Sequence, residues 1–265
     1  MAYQENGILV FKNGVLLLDS DDYTATDGSV VTLTSAAAAG SNITISKYVL
    51  GSGGGATFSW GGDRGLLMGG MATGLSYQSG IRYIDITTPG NASTFGSLTG
   101  SIGSAGGFGD GTYACAAGGS QNSTTNGINV IQYVTVATTA NAQDFGDLTS
   151  VLRAKPAGAG DGTKGLVFGG YNGSNHVNTI QYVTVSSPGN ATDFGDMSYT
   201  AYEVGATNDA TYALNAGGFG SSRYNNIEYV TVATPGNSTD FGDLNNTLNG
   251  AAGFSSATIG VFAGG

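Results

Sequence analysis

The chain repeats itself about every 50 residues, and this period constrains its fold more than any other feature. The second glycine of a recurring Gly-Gly pair falls at positions 70, 119, 170, 218 and 265. Each pair closes a short apolar run such as Leu166-Val167-Phe168. A period of this length is typical of arrays in which every unit packs on its neighbours.

Two further blocks follow each of the first four glycine pairs. One block reads Ile-x-Tyr and continues with alternating β-branched residues, and its tyrosines are Tyr83, Tyr133, Tyr182 and Tyr229. The other block is centred on a Phe-Gly pair, with Phe95, Phe145, Phe194 and Phe241. A Pro-Gly-Asn or Thr-Ala-Asn turn separates the two blocks, and such residues favour tight turns. With a glycine-rich strand leading each unit, the pattern predicts four short strands per repeat and no helix.

Four strands in a repeat of this length are the signature of a propeller blade. The strand-ending Gly-Gly, the tyrosine 11 to 14 residues later and the following large aromatic resemble kelch repeats over residues 56–265. The chain departs from kelch in having phenylalanine instead of tryptophan and a longer gap before it. The resemblance implies an all-β, β-propeller-like (kelch-like) fold, and a non-propeller stack of the same repeats remains an alternative.

The repeats do not come in a whole number. There are five Gly-Gly strands and four Ile-x-Tyr strands, so we expect four and a half β repeats in residues 56–265. Either the last two strands complete a blade with N-terminal segments, or the unit is truncated.

Residues 1–50 lack the repeat and predict a small antiparallel β domain. Asn13-Gly14 and Asp27-Gly28 are strong hairpin signals, and Ile43–Ile45 begins a closing strand. The glycine-rich stretch at 51–55 predicts a flexible linker.

The N-terminal segment resembles a small module of bacteriophage tail fibres and related virion proteins. The matching residues are Val10 to Leu17, Asp21 to Thr24, Asp27-Gly28, Val30 to Leu33, Ala36 to Gly40 and Ile43 to Ile45. The repeat also looks like repeats in structural proteins of phages that infect marine bacteria. These resemblances imply a virion protein of the tail or another appendage, assembled in the host cytoplasm as an oligomer in the particle. They also imply that residues 1–50 contact other virion proteins.

Charge and composition exclude several classes of protein. The net charge of −10 and the pI near 4.1 argue against a nucleic-acid binder. No run of about 20 apolar residues exists, so we expect no membrane insertion by a helix. Cys115 and His176 are the only residues of their types, which leaves too few ligands for a structural zinc site and no disulfide partner. We expect no cofactor.

The sequence offers no catalytic constellation. Nucleophilic or acid–base catalysis needs a nucleophile, a base and an orienting group within reach of one another. We interpret Cys115 as a small core residue and expect no catalytic residue. The Asp-x-x-Asp motifs lack the spacing of calcium loops, so we expect turn capping there and no metal; they are Asp144/Asp147, Asp193/Asp196 and Asp240/Asp243.

The loops that follow the glycine pairs vary in length and sequence while their strands repeat. Equivalent loops of a propeller gather on one face, so we expect any ligand to bind there. The candidate ligand-binding residues are Tyr77, Gln121, Asn122, Tyr171, Asn175, His176, Arg223 and Tyr224. The predicted function is non-enzymatic adsorption to a host-surface glycan or receptor. The alternatives are a purely structural decoration or spacer of the virion and, third, a kelch-like carbohydrate-active enzyme.

Overall fold

The computed structural model is built from β-strands alone in the residues that it describes. These residues are 8–13, 15–16, 23–24, 31–38, 41–47, 64–73, 76–121, 127–153, 155–256 and 258–265. The chain divides into two compact units, Met1–Gly54 and Gly55–Gly265. The predicted linker at 51–55 and the Asp27-Gly28 turn lie outside the described residues. The predicted all-β class is confirmed.

The first unit contains two small antiparallel sheets. Strand β1 (Ile8–Lys12) lies between β2 (Val15–Leu16) and β5 (Ile43–Lys47), while β3 (Tyr23–Thr24) pairs with β4 (Thr32–Leu33). Positive φ at Asn13 allows the tight turn from β1 to β2. Val10 and Tyr23 form the buried centre, against which Val31, Leu33 and Ile43 pack.

The second unit is a series of repeats, which we number 1 to 4, followed by a half repeat. The strands of repeats 1 and 2 are β6 (Arg64–Met68), β7 (Met71–Ala72), β8 (Ser76–Asp85), β9 (Ser93–Gly103), β10 (Gly106–Gly109), β11 (Tyr113–Ala117), β12 (Ser120–Gln121), β13 (Ile128–Thr135) and β14 (Gln143–Leu152). Those of repeats 3 and 4 are β15 (Ala157–Gly160), β16 (Lys164–Tyr171), β17 (His176–Thr184), β18 (Thr192–Asp196), β19 (Gly205–Asn208), β20 (Tyr212–Ala216), β21 (Tyr224–Thr231) and β22 (Thr239–Leu248). The half repeat contains β23 (Ala252–Ser255) and β24 (Gly260–Ala263).

Repeats 2, 3 and 4 each form a four-stranded antiparallel sheet of the propeller-blade type. Their strand orders are β10-β11-β13-β14, β15-β16-β17-β18 and β19-β20-β21-β22. Repeat 1 contributes β6, β8 and β9, and β12 of repeat 2 joins the edge of β9. The four-strand prediction therefore holds wherever a whole repeat is described.

The hydrophobic core lies between successive repeats instead of within each one. Ile81 and Phe95 of repeat 1 pack with Val134 of repeat 2. Side chains of repeat 2 pack in the same way on Val183 of repeat 3, and those of repeat 3 on Val230 of repeat 4. Because strand side chains alternate between faces, each sheet packs one face on the preceding repeat and the other on the following one.

The glycine pairs have one backbone geometry in all five places. Both members have positive φ, for example 54° at Gly169 and 121° at Gly170. The amide of Gly170 donates a hydrogen bond to the carbonyl of Ala201 at 2.8 Å, and a Cβ at Gly169 would come within 2.5 Å of that same oxygen. The positive φ disfavours a side chain at all of these glycines, and at Gly169 a steric clash excludes one as well.

The repeating tyrosine and phenylalanine occupy equivalent positions, as predicted. Each pair meets edge to face, with ring centroids 5.7–6.1 Å apart. Phe95, Phe145 and Phe194 are only 4%, 3% and 2% exposed, but Phe241 is 63% exposed. Phe241 therefore differs from its three counterparts in being largely open to solvent.

Candidate functional site

The variable loops and the connections between repeats lie at the same end of each sheet. In a four-stranded antiparallel meander, the connection from the second to the third strand and the exit from the fourth strand leave at the same edge. We call the surface of the second unit that these connections form the loop face. It carries the variable loops after the glycine pairs and the connections between repeats.

Backbone hydrogen bonds tie the loops of the loop face to the preceding repeat. The amide of Arg153, which follows β14, donates to the carbonyl of Tyr171 at 2.7 Å. Tyr202 and Phe219 repeat the arrangement one unit later and bond in both directions, at 3.0 and 2.8 Å. These bonds place a residue of one repeat beside a residue of the next.

Four rings meet on the loop face where repeats 3 and 4 adjoin, and we call them the aromatic cluster: Tyr171, His176, Tyr202 and Phe219. The imidazole of His176 lies 5.4, 5.1 and 6.2 Å from the rings of Tyr171, Tyr202 and Phe219. Tyr202 also lies 6.3 Å from Tyr171 and 5.8 Å from Phe219. All four residues are half-buried, so part of each remains open to solvent.

The local sequence explains how the two rings of repeat 3 come together. Tyr171 ends β16 and His176 begins β17, and the two are direct partners in the antiparallel register. The side chain of Asn172 accepts hydrogen bonds from the amides of Ser174 and Asn175, at 3.0 and 2.8 Å, which shapes the tight loop between them. The guanidinium of Arg153 lies 4.6 Å from the centre of the Tyr171 ring.

A chain of polar side chains borders the aromatic cluster. Lys155 forms an ion pair with Glu203 at 2.9 Å, and Glu203 also accepts a hydrogen bond from the amide of Asn249. The side-chain oxygen Oδ1 of Asn249 accepts a hydrogen bond from Nε of Arg223 at 2.6 Å. Glu203 follows Tyr202 directly and has a φ of 57°, which turns the chain sharply at this point. Cationic groups, anionic groups, amides and aromatic rings therefore lie together on the loop face.

The structure brings only part of the predicted site together. Tyr171 and His176 contact each other, and Arg223 belongs to the bordering polar chain. Asn175 is exposed in the loop between β16 and β17. Tyr224 is half-buried, and its ring lies 4.7 Å from that of Tyr199 at the edge of the core.

The remaining candidates belong to repeats 1 and 2. The Tyr77 ring lies against Gly103 and occupies the space that a side chain there would need, and the side-chain amide of Gln121 lies along Gly100. Asn122 lies outside the described residues.

The site residues that were not predicted from the sequence are Tyr202, Phe219, Arg153, Lys155, Glu203 and Asn249. All of them except Phe219 lie in connections between repeats, whereas the predicted residues lie in the loops after the glycine pairs. One pattern relates these positions, since the residue eight positions after the phenylalanine of a Phe-Gly pair lies beside the residue after the next glycine pair. The pairs Arg153/Tyr171 and Tyr202/Phe219 follow from that rule.

The aspartates of the repeats fall into two groups, of which one caps turns. Asp161 in the turn from β15 to β16 accepts hydrogen bonds from the amides of Thr163 and Lys164, at 2.8 and 2.7 Å. The Asp-x-x-Asp residues instead lie in or next to strands β14, β18 and β22, and their carboxylates accept no hydrogen bond from the described part of the chain. The turn-capping prediction for those motifs is wrong, because the capping belongs to the Asp-Gly turns.

Neither a metal cluster nor a reactive thiol appears in the described residues. No group of three or more His, Cys, Asp or Glu side chains is placed to hold a metal there. Cys115 is buried in β11, and burial raises the pKa of its thiol to about 12. None of the described segments is a helix long and apolar enough to cross a membrane.

No protein-family model matches the chain, and no curated protein matches it either.

Proposed function

We propose that the chain is a non-enzymatic appendage protein of a virion whose loop face binds a host-surface glycan. The single observation that carries the glycan assignment is the aromatic cluster with its polar border. The virion assignment rests on the sequence resemblance of residues 1–50 and of the repeats. Under this proposal, residues 1–50 attach the chain to other virion proteins and the repeats display the contact surface.

The chemistry of the cluster suits a sugar. Aromatic faces offer apolar area at low conformational cost, and a tyrosine hydroxyl keeps a polar end in water. A glycan presents an apolar C–H face and a rim of hydroxyl groups, which require both donors and acceptors. Arg153 and Arg223 supply donors, Glu203 supplies an acceptor, and Asn249 supplies both.

Binding should therefore depend on the cluster and not on other tyrosines. The full-length chain would be applied to surface polysaccharide from permissive hosts, and Tyr171→Ala and Tyr202→Ala compared with the parent chain. Tyr77→Ala is the matched control, because Tyr77 is also a half-buried tyrosine at a variable loop but lies in repeat 1. We expect loss of binding for the two cluster variants only.

The alternatives give different outcomes in the same experiment. Absence of binding by the folded parent chain would favour a structural spacer. Release of reducing sugar would instead favour a carbohydrate-active enzyme. Equal loss in the Tyr77→Ala control would show that binding does not depend on the aromatic cluster in particular.

The attachment role of residues 1–50 has its own test. The full chain would be added to particles that lack the protein, with and without an excess of the fragment 1–50. We expect the fragment to compete for attachment. Attachment unaffected by the fragment would contradict the assigned role of this segment.

A further inference from the structure

The loop face is basic on a chain that is acidic as a whole. The chain has 18 acidic and 8 basic residues, which gives a net charge of −10. The described part of the loop face nevertheless carries three basic residues, Arg153, Lys155 and Arg223, and Glu203 as its one acidic residue. This surface therefore has an excess of two positive charges beside the aromatic cluster.

The other acidic side chains of the repeats lie in strands or at the opposite end of the sheets. Asp110, Asp161 and Asp209 cap the turns from the first to the second strand of repeats 2, 3 and 4. These turns are separated from the loop face by a whole second strand of at least five residues, which spans about 16 Å or more. Exposed charges are largely screened beyond about 10 Å at 0.1 M salt. A ligand on the loop face therefore interacts mainly with the nearby cations.

Two of the charges on the loop face occupy positions where the backbone favours glycine. Lys155 and Glu203 each lie two residues before the first strand of the next repeat, with φ angles of 32° and 57°. The equivalent residue of the following connection is Gly250, with a φ of 80°. The amide of Glu203 donates to the carbonyl of Lys155 at 3.1 Å, and that of Gly250 donates to the carbonyl of Glu203 at 2.7 Å. Since glycine fits this position, the backbone does not require the charged side chains that lie there at a conformational cost.

The cations of the loop face keep hydrogen-bond donors that the fold does not use. The guanidinium of Arg153 lies over the Tyr171 ring and donates no hydrogen bond within the described part of the chain. Arg223 is exposed, and its hydrogen bond to Asn249 uses Nε alone. An arginine presents five N–H donors in a planar fork that matches the two oxygens of a carboxylate. Unused cationic donors therefore lie beside a surface on which a ring can stack.

We propose that the ligand of the loop face is an acidic glycan that carries carboxylate groups, such as those of uronic acid residues. A sugar ring would stack on the aromatic cluster while its carboxylate accepts hydrogen bonds from the arginines. The carboxylate of Glu203, which accepts from Lys155 and Asn249, is the chain's own example of this chemistry on the same surface. This inference rests on the proposed glycan function and specifies the class of glycan.

Chemical reduction of the glycan tests the role of its charge. Surface polysaccharide from a permissive host would be titrated into the full-length chain in its native form and after reduction of its carboxylates to primary alcohols. We expect the reduced form to bind at least about tenfold more weakly. Binding of the native form should also weaken as the salt concentration rises from about 0.05 to 0.5 M.

The possible outcomes separate this inference from the proposed function. Equal binding of the native and reduced forms would overturn the acidic-glycan inference and leave the glycan function intact. Absence of binding by both forms would contradict the glycan function itself. A third preparation, from which phosphate esters are removed with hydrofluoric acid, identifies the anion. Loss of binding in that preparation, with normal binding of the reduced form, would overturn the carboxylate assignment in favour of phosphate.

Variants that remove one positive charge locate the contact. Arg153→Gln and Arg223→Gln should each weaken binding of the native polysaccharide about tenfold, with a smaller effect on the reduced form. Because Arg223 is exposed, its variant tests the proposal even if Arg153→Gln does not fold. Arg82→Gln is the matched control, since Arg82 is also exposed but lies within β8 of repeat 1. Equal weakening by Arg82→Gln would show an effect of net charge alone and would overturn the assignment to the loop face.

Discussion

The side chain of Asn190 accepts a hydrogen bond at 3.0 Å from the backbone amide of Asp147, 43 residues earlier in the chain. The two residues belong to successive repeats, and equivalent pairs join the other described neighbours. The same polar contact therefore joins each described pair of successive repeats, next to the hydrophobic core that lies between their sheets. Stability in such an array comes largely from interfaces between nearest neighbours.

The phenylalanines of the Phe-Gly pairs should differ sharply in their contribution to stability. Phe194→Ala removes a ring that is buried between repeats 3 and 4, and we expect a loss of about 3–5 kcal/mol in the free energy of unfolding. Phe241→Ala removes a mostly exposed ring and should cost less than about 1 kcal/mol. Urea denaturation of both variants measures the difference, and equal losses would contradict the assigned burial.

The buried side chain of Gln181 should stabilise the fold through its amide oxygen, which accepts two hydrogen bonds. Gln181→Leu leaves the amide and hydroxyl of Thr149 without their partner, and we expect a loss of about 1–3 kcal/mol. Arg82→Leu is the matched control, because Arg82 occupies the equivalent position in repeat 1 but is exposed. An unchanged melting temperature for Gln181→Leu would show that this interface does not need the hydrogen bonds.

Much of the repeat fold could be predicted from the sequence, because the strands and turns depend on local patterns. The glycine pairs, the Ile-x-Tyr strands and the Asp-Gly turns fixed the strand count and the equivalence of Tyr182 with its counterparts. The exposure of Phe241 could not be predicted, since it depends on whether a neighbour covers that face. The aromatic cluster was only partly predicted, because Tyr202 reaches His176 through pairing between two repeats.

The thiol of Cys115 should be inert in the folded chain. Burial raises its pKa to about 12, so almost no thiolate exists at pH 8. We expect no reaction with a thiol reagent under native conditions and full reaction in denaturant. Rapid labelling of the folded chain would mean that β11 opens far more readily than its packing indicates.

High pH should destabilise the fold through Tyr199. Its hydroxyl donates to the carbonyl of Gly217 at 3.0 Å and accepts from the amide of Asn215 at 3.1 Å. Burial, with a further contribution from the charge of Glu228, raises the pKa of the Tyr199 hydroxyl above its ordinary value of 10.0. The neutral Tyr199 hydroxyl therefore contributes its full stabilisation of the fold below pH 10, and this stabilisation is lost as the pH rises above 10.

A phenylalanine variant isolates this alkaline effect. Tyr199→Phe should lower stability at neutral pH by about 1–3 kcal/mol, because the carbonyl of Gly217 and the side-chain amide of Asn215 lose their hydrogen-bond partner. The variant should lose less stability than the parent chain between pH 9 and 12, a range that spans the ordinary tyrosine pKa of about 10. Parallel pH curves for the two proteins would contradict the assignment.

The single histidine of the chain allows the most direct test of the glycan proposal. His176 lies at the centre of the aromatic cluster, so its ring protons report on that site without ambiguity. Surface polysaccharide of a permissive host would be titrated into the full-length chain while the imidazole resonances are followed by NMR. We predict saturable shifts of the His176 resonances, which Tyr202→Ala abolishes. Binding of the polysaccharide with unchanged His176 resonances would place the contact elsewhere and contradict the account.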